Sequence, residues 1–211
     1  MKNSIITACF CLAALQIGGS QTKKIIGGGC EGCELYAQGL PKNLDWETTM
    51  SVGEKGEKLQ ISGIIYQKDG KTPAPNVILY IYHTDSEGLY KAAPNQTKAK
   101  RHGRLRGWIK TDAQGRYQFT TIKPATYPST KFLAHIHPTI KEPDKNEYYI
   151  DEFVFEDDPN MTDKEKKNMQ NRGGNGIVKL VKKVIARDAA TEGVWVGKRD
   201  IVLGLNVPDY Y

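Results

Sequence analysis

The run Asn76-Val77-Ile78-Leu79-Tyr80-Ile81-Tyr82-His83 is almost unbroken β-branched, aliphatic and aromatic sequence. It predicts a strand buried on both faces, and so the central strand of a sheet. Upstream, Lys58-Leu59-Gln60-Ile61-Ser62-Gly63-Ile64-Ile65-Tyr66 alternates apolar with polar residues as a half-buried strand requires, and Asp69-Gly70-Lys71-Thr72-Pro73 turns the chain between the two. Downstream, Asp85-Ser86-Glu87-Gly88 forms the next turn and delivers Leu89-Tyr90 beyond it. Arg106 to Thr111 and Arg116 to Ile122 flank Asp112-Ala113-Gln114-Gly115, which predicts a hairpin whose glycine supplies a positive φ. Further strands are predicted over Lys131 to His137, Glu147 to Phe155, Ile177 to Val184 and Arg199 to Leu205. One helix is predicted: Thr162-Asp163-Lys164-Glu165 is a capping box, polar residues follow to about Asn171, and Gly173-Gly174 ends it. It lacks an apolar face, so it is a short surface element. Many short strands parted by glycine and proline turns make the chain all-β: an antiparallel β-sandwich, or a barrel, with one short surface helix and long loops.

The 211 residues suit one domain of ordinary size with extra segments, and two full domains would be crowded. With 39% hydrophobic and 26% charged residues and 21 glycines, the composition is that of a soluble, turn-rich globular protein rather than a disordered or membrane one. The formal charge of +6 is scattered except at Lys98-Ala99-Lys100-Arg101-His102-Gly103-Arg104-Leu105-Arg106, and no nucleic-acid motif accompanies that run. It reads as a solvated basic loop with His102 exposed, so no nucleic-acid partner is expected.

Met1-Lys2-Asn3, a mostly apolar stretch from Ser4 to Ile17 and Gly18-Gly19-Ser20 together read as a secretory signal over residues 1–20. The protein is expected to be secreted or periplasmic. Ile6-Thr7-Ala8-Cys9 looks like a lipoprotein box, but too little hydrophobic segment precedes Cys9 to favour a lipid anchor, and no later stretch is long enough to span a membrane. Residues 21–52 form a glycine-rich arm over the domain, and residues 53–211 the sandwich. Cys30 and Cys33 in the arm, spaced Cys-Glu-Gly-Cys, are too few to close a zinc site; a structural disulfide is the simplest reading in an oxidising compartment, with a redox-active pair as the alternative.

Two of the four histidines, His135 and His137, stand one residue apart in the predicted strand Lys131 to His137, so both imidazoles leave one face and can converge on one ion. Tyr127 lies just upstream, held by Pro128 at a turn. The spacing alone suits a metal site, and equally two hydrogen-bonded histidines of an ordinary sheet.

Four blocks taken in order carry a more specific signal: Pro73 to Tyr90; Arg106-Gly107 with Thr111 to Phe119; Thr121-Ile122-Lys123-Pro124-Ala125-Thr126-Tyr127-Pro128; and Ala134-His135-Ile136-His137. Together with the Phe155 to Pro159 turn, they resemble the intradiol ring-cleavage dioxygenases, with order and spacing unbroken from about Ile61 to Pro159. The resemblance implies a β-sandwich holding a non-haem ferric ion (Fe3+) through Tyr90, Tyr127, His135 and His137. A hard trivalent ion favours anionic oxygen, and metal binding would deprotonate phenols that ordinarily titrate near pH 10. The implied substrates are a small aromatic diol and O2. In the reaction that the resemblance implies, the catechol chelates the iron as a dianion, displacing hydroxide and the tyrosinate corresponding to Tyr127, which act as bases. Ring cleavage between the hydroxyl-bearing carbons gives a muconate-type product. His83 falls at a non-ligand position, as a hydrogen-bonded wall residue.

Two positions depart from the family pattern. Phe132 stands three residues before the first histidine ligand, where the family usually has an arginine that stabilises the ketonised substrate. Strand alternation would place Lys131 on the face of His135 and His137, so Lys131 or Arg106 is a candidate replacement. Glu152 stands where the family has a glutamine, and its carboxylate could repel an anionic substrate, raise a ligand pKa or accept a proton. The alternatives to an enzyme are a secreted iron- or catecholate-binding sandwich without efficient turnover, and a structural module resembling transthyretin-like domains. Oligomeric state is left open.

Overall fold

The computed structural model describes residues 25–30, 32–93, 100–184 and 193–211. The leader expected over residues 1–20 lies outside the described residues, as do Lys98 and Ala99 of the basic run. Among the described residues the strands are β1 (Glu47–Thr49), β2 (Lys58–Tyr66), β3 (Ile78–His83), β4 (Arg106–Lys110), β5 (Arg116–Ile122), β6 (His135–Lys141), β7 (Tyr148–Tyr149), β8 (Phe153–Phe155), β9 (Ile177–Val178), β10 (Val181–Val184), β11 (Gly193–Lys198) and β12 (Ile201–Val202). The one α-helix among them, α1 (Asp163–Asn168), buries no residue, and the Thr162 hydroxyl caps it by accepting from the Glu165 amide.

Two sheets face each other. The first runs β1-β5-β2-β11-β10 with β12 also on β2; the second runs β4-β3-β6-β8-β9 with β7 on β6. Between them lies one apolar core. Alternation in β2 sends Leu59, Ile61 and Ile65 inward, and they meet Leu79 and Ile81 of β3, Ile136 and Ile140 of β6, and Phe119, Phe153 and Phe155. As expected, β3 is central, paired antiparallel with both β4 and β6. The fold is the all-β sandwich the sequence predicts. Antiparallel ladders dominate, and parallel pairs such as β1 with β5 and β2 with β11 complete it.

Several elements differ in detail. The residues around Asp112–Gly115 do not close a hairpin, because β4 belongs to the second sheet and β5 to the first. The turn itself forms as expected: Asp112 Oδ1 accepts from the amides of Gln114 and Arg116, and Gly115 takes φ +68°. Its flanking strands bury more by facing each other across the sandwich, with Ile109 on one side and Tyr117 and Phe119 on the other. The predicted strands 147–155 and 177–184 each split in two, and the second split also carries the chain from sheet to sheet. The arm is more than a cover: it supplies β1 as an edge strand and buries Cys33, Leu35 and Tyr36.

Candidate metal centre

The outward face of the second sheet carries the polar chemistry. Tyr80 and Tyr82 alternate with the inward Leu79 and Ile81, and the register sets Tyr82 directly between Arg106 of β4 and His137 of β6. His135 and His137 open β6 and leave it on the same face, with ring centroids 4.5 Å apart.

Two loops bring tyrosines to these histidines. The Asp85–Gly88 turn is fixed by Asp85 Oδ1, which accepts from the amides of Glu87 and Leu89, and it sets Tyr90 two residues beyond Gly88. The second loop carries Tyr127. The loops are tied where the Thr84 hydroxyl donates to Ala125 O (2.7 Å) and the Ala125 amide to Asp85 O (3.1 Å). Gly88 makes this approach feasible: at φ +78°, a Cβ there would sit 2.0 Å from Thr126 O.

The result is a compact quartet. Tyr90 Oη lies 2.9 Å from Tyr127 Oη and 3.1 Å from His137 Nε2. His135 Nε2 lies 3.0 Å from His137 Nε2 and 3.2 Å from Tyr127 Oη, while Tyr127 Oη and His137 Nε2 are 3.5 Å apart. Four ligand atoms about 2 Å from a shared ion stand about 3 Å from one another, so these separations fit one metal. The ring orientations agree. His135 Nδ1 donates to Leu133 O (2.6 Å), and His137 Nδ1 faces Glu152 Oε1 at 3.7 Å, which leaves both Nε2 lone pairs turned toward the cluster. Two lone pairs 3.0 Å apart repel unless a cation lies between them. Among the described residues no three His, Cys, Asp or Glu side chains are placed to hold a metal ion by themselves, so the phenols are essential to this donor set, and their hard oxygens suit ferric iron.

Burial and the neighbouring Tyr127 hydroxyl push the Tyr90 phenol far above its ordinary value. Burial likewise lowers His135, aided by the charge of His137. Glu152 is pushed up by burial, but its interaction with the nearby His137 imidazole prevails and leaves it lowered overall.

The model of the family described as Dioxygenase matches residues 32–203. The chain belongs to the intradiol ring-cleaving dioxygenase family. Among the relatives of this family member, catechol 1,2-dioxygenase of Acinetobacter baylyi is 34% identical over 95 residues, covering 44% of this chain and 30% of that protein. The protocatechuate 3,4-dioxygenase beta chain of Burkholderia cepacia is 33% identical over 75 residues, covering 35% and 32%. The chain thus spans about a third of the length of these curated relatives. The dioxygenase domain of a dioxygenase carbohydrate-binding protein fusion from Streptomyces sp. SirexAA-E shares the fold, with a TM-score of 0.55, 20% identity and coverage of 78% of this chain and 91% of that one. Catechol 1,2-dioxygenase from Acinetobacter sp. ADP1 superposes with a TM-score of 0.56 at 19% identity, covering 76% and 58%.

Around the quartet, this intradiol family member departs from its sequence-based expectations at three residues. Lys131 does not share the histidine face: β6 starts only at His135, and Lys131 lies exposed on a loop closed by bonds from Thr130 N and Oγ1 to Tyr127 O. Arg106 does sit in register with Tyr82, but its guanidinium lies 5.2 Å from the Trp108 ring and its charge opposes the burial that pushes Tyr80 up to about 12. His102 is buried rather than exposed, at 2% accessibility. It stacks on Tyr82 at 3.6 Å, its Nδ1 lies 2.8 Å from Tyr80 Oη, and Gly32 of the arm packs against its Nε2 edge. Burial lowers it to about 4, so it is neutral. His83 is hydrogen-bonded as expected, with Nδ1 at Thr84 O and Nε2 at Thr121 Oγ1, both 2.7 Å, but it turns inward to β5 of the first sheet and lines neither cavity beside the quartet.

Two small cavities flank Tyr82. One, of about 270 Å3, is lined by Tyr82, Tyr90, Arg101, His102 and Tyr127. The other, of about 250 Å3, lies behind His137 and includes Tyr149, Glu152 and Cys30, whose disulfide to Cys33 forms with Cα atoms 5.5 Å apart. Sequence reasoning missed Tyr82, although alternation along β3 sets it on the same face as Tyr80. It stacks on His137 at 4.5 Å and continues the column to His102.

Proposed function

We propose that the protein is an exported non-haem ferric dioxygenase that opens a catechol-type ring between its two hydroxyl-bearing carbons with O2, giving a muconate-type product. The observation that carries this reading is the convergence of Tyr90, Tyr127, His135 and His137 within 2.9–3.5 Å. When bound, the ferric ion would supply Lewis acidity at the quartet that polarises the diol and makes the ring reactive toward O2. The residues do the rest. Leu133 O and Glu152 orient the two imidazoles. Tyr90, half-buried and wedged by the Gly88 turn, is a fixed ligand. Tyr127 sits at the start of the exposed 128–132 loop, and its Oη would take a hydroxyl proton from the incoming diol. Tyr82 and His102 wall the approach and exclude water from one side of the ring.

A second reading, an iron- and catecholate-binding protein without efficient turnover, is favoured by one observation. Phe132 is 63% exposed and brings no cation to the quartet, and Lys131 beside it is exposed on the same loop. Iron analysis and oxygen uptake against a panel of catechols separate the two. The enzyme is red from tyrosinate-to-iron charge transfer, consumes one O2 per ring opened and loses turnover in Tyr127→Phe. A red protein whose spectrum shifts with catechol while oxygen stays constant is the binder, and a colourless protein without iron is neither.

A further inference from the structure

Arg199 lies between β11 and β12 and is sealed into the protein, at 4% exposure. Its main chain belongs to the first sheet. The amide donates to Ser62 O of β2 (3.0 Å), the carbonyl accepts from the Tyr117 hydroxyl of β5 (2.6 Å), and a side chain at Gly63 would collide with that carbonyl. Its side chain crosses to the second sheet, where Nη1 donates to Asp151 O (2.8 Å) and the guanidinium lies 4.5 Å from the Phe153 ring. Nε and Nη2 are buried without a hydrogen-bond partner among the described residues. Burial pushes the guanidinium below its ordinary value, and the charges of Tyr117, Asp151 and Glu152 oppose that shift. A buried cation with two idle donors costs stability, and an apolar side chain of similar volume often fills such a place without loss. What the arginine adds over such a side chain is its bond to Asp151 O.

That bond acts on the residue facing His137. Asp151 O belongs to the peptide that leads into Glu152, so fixing the plane of that peptide fixes the direction in which the Glu152 side chain leaves the chain. Asp151 itself is tied down separately: its amide donates to Arg172 O (3.2 Å) and its carboxylate accepts from the Asn171 amide (2.7 Å). Resting on the ferric reading of the quartet, we propose that Arg199 is a positioning residue for the metal centre: by fixing the peptide between Asp151 and Glu152 from the opposite sheet, it holds the Glu152 carboxylate against His137 Nδ1 and so keeps His137 Nε2 turned to the quartet. The carboxylate stands 3.7 Å from Nδ1 and its side chain is 37% exposed, so with a loosened main chain it has room to turn away into solvent. A strut anchored in one sheet thus sets a ligand on the other.

The test is a double-mutant cycle of Arg199→Met and Glu152→Ala, read in two ways. In chelator competition, Arg199→Met is expected to weaken ferric binding by about 10-fold in the wild-type background and by less than about twofold in the Glu152→Ala background, because the carboxylate it positions is then gone. In the metal-free protein at pH about 8, the ring nitrogen resonances of His137 are expected to show the Nδ1-protonated tautomer in the wild type and a mixture of tautomers in Arg199→Met. Where Arg199→Met does not fold, Arg199→Gln, uncharged but polar, takes its place in both measurements. Losses that multiply in the double variant mark an arginine that merely supports the fold and overturn the proposal, and so does a His137 tautomer that stays as in the wild type. A wild type that takes up no ferric ion counts against the proposed function, while the His137 tautomer, read without metal, still decides on Arg199.

Discussion

A phenol as deeply disfavoured in its charged form as Tyr90 cannot become a ligand without help. An ion that takes it must expel its proton, so metal loading is also a titration. With both tyrosines ligated, ferric binding at pH 7 is expected to release about one proton more from the wild type than from Tyr127→Phe, measured as base consumed at constant pH in weak buffer. Glu152 acts one step back from the metal, 3.7 Å from His137 Nδ1. Its removal in Glu152→Ala, which takes away the oxygen facing His137, is expected to lower iron affinity by about 10- to 100-fold in chelator competition, with the far-ultraviolet spectrum unchanged. The four residues of the quartet were picked out by the resemblance of short local blocks to the family, and the structure brings their side chains together. His102 was not legible in this way. Its neighbours in the chain are basic and read as solvated, and its burial is decided by Gly32 and Tyr82, which no local pattern connects to it.

At the scale of elements, close approach of two loops builds the site, and Gly88 is where they touch. Gly88→Ala meets Thr126 O at 2.0 Å in a left-handed backbone, so it is expected to cost about 1–3 kcal/mol in a denaturant titration and to lose iron, because Tyr90 and Tyr127 are pushed apart. Thr162→Ala is the contrasting case. It removes the cap of a helix that buries nothing, so the loss of about 1 kcal/mol falls on local helix fraying, with iron content and the global denaturation midpoint nearly unchanged. Strand existence was readable from apolar alternation, but sheet membership was not. Asp112–Gly115 has the chemistry of a tight turn whether its arms pair or part, and only the facing partners, Ile109 against Tyr117 and Phe119, decide that they part. The same blindness merged β9 with β10, which belong to opposite sheets.

Across the whole molecule, burial disfavours a proton on His83, His102 and His135. Burial holds His83 and His102 each at about 4, against about 6.5 in the unfolded chain. As pH falls the unfolded chain takes up these protons first, so the stability they confer is intact above about 6.5 and drains away toward pH 4. The urea midpoint is expected to drop over that window, and His83→Gln to flatten the drop. The central strand has a wider consequence. Along β3, odd-numbered residues build the core and even-numbered ones, Tyr80 and Tyr82, serve the chemistry on the other side. Selection can therefore rewrite the outward set without touching the inward one. Such a scaffold separates the inheritance of stability from that of specificity, so new substrates are expected to arise here by changes at outward positions beside the quartet, such as the half-buried Tyr82, while His135 and His137 stay fixed.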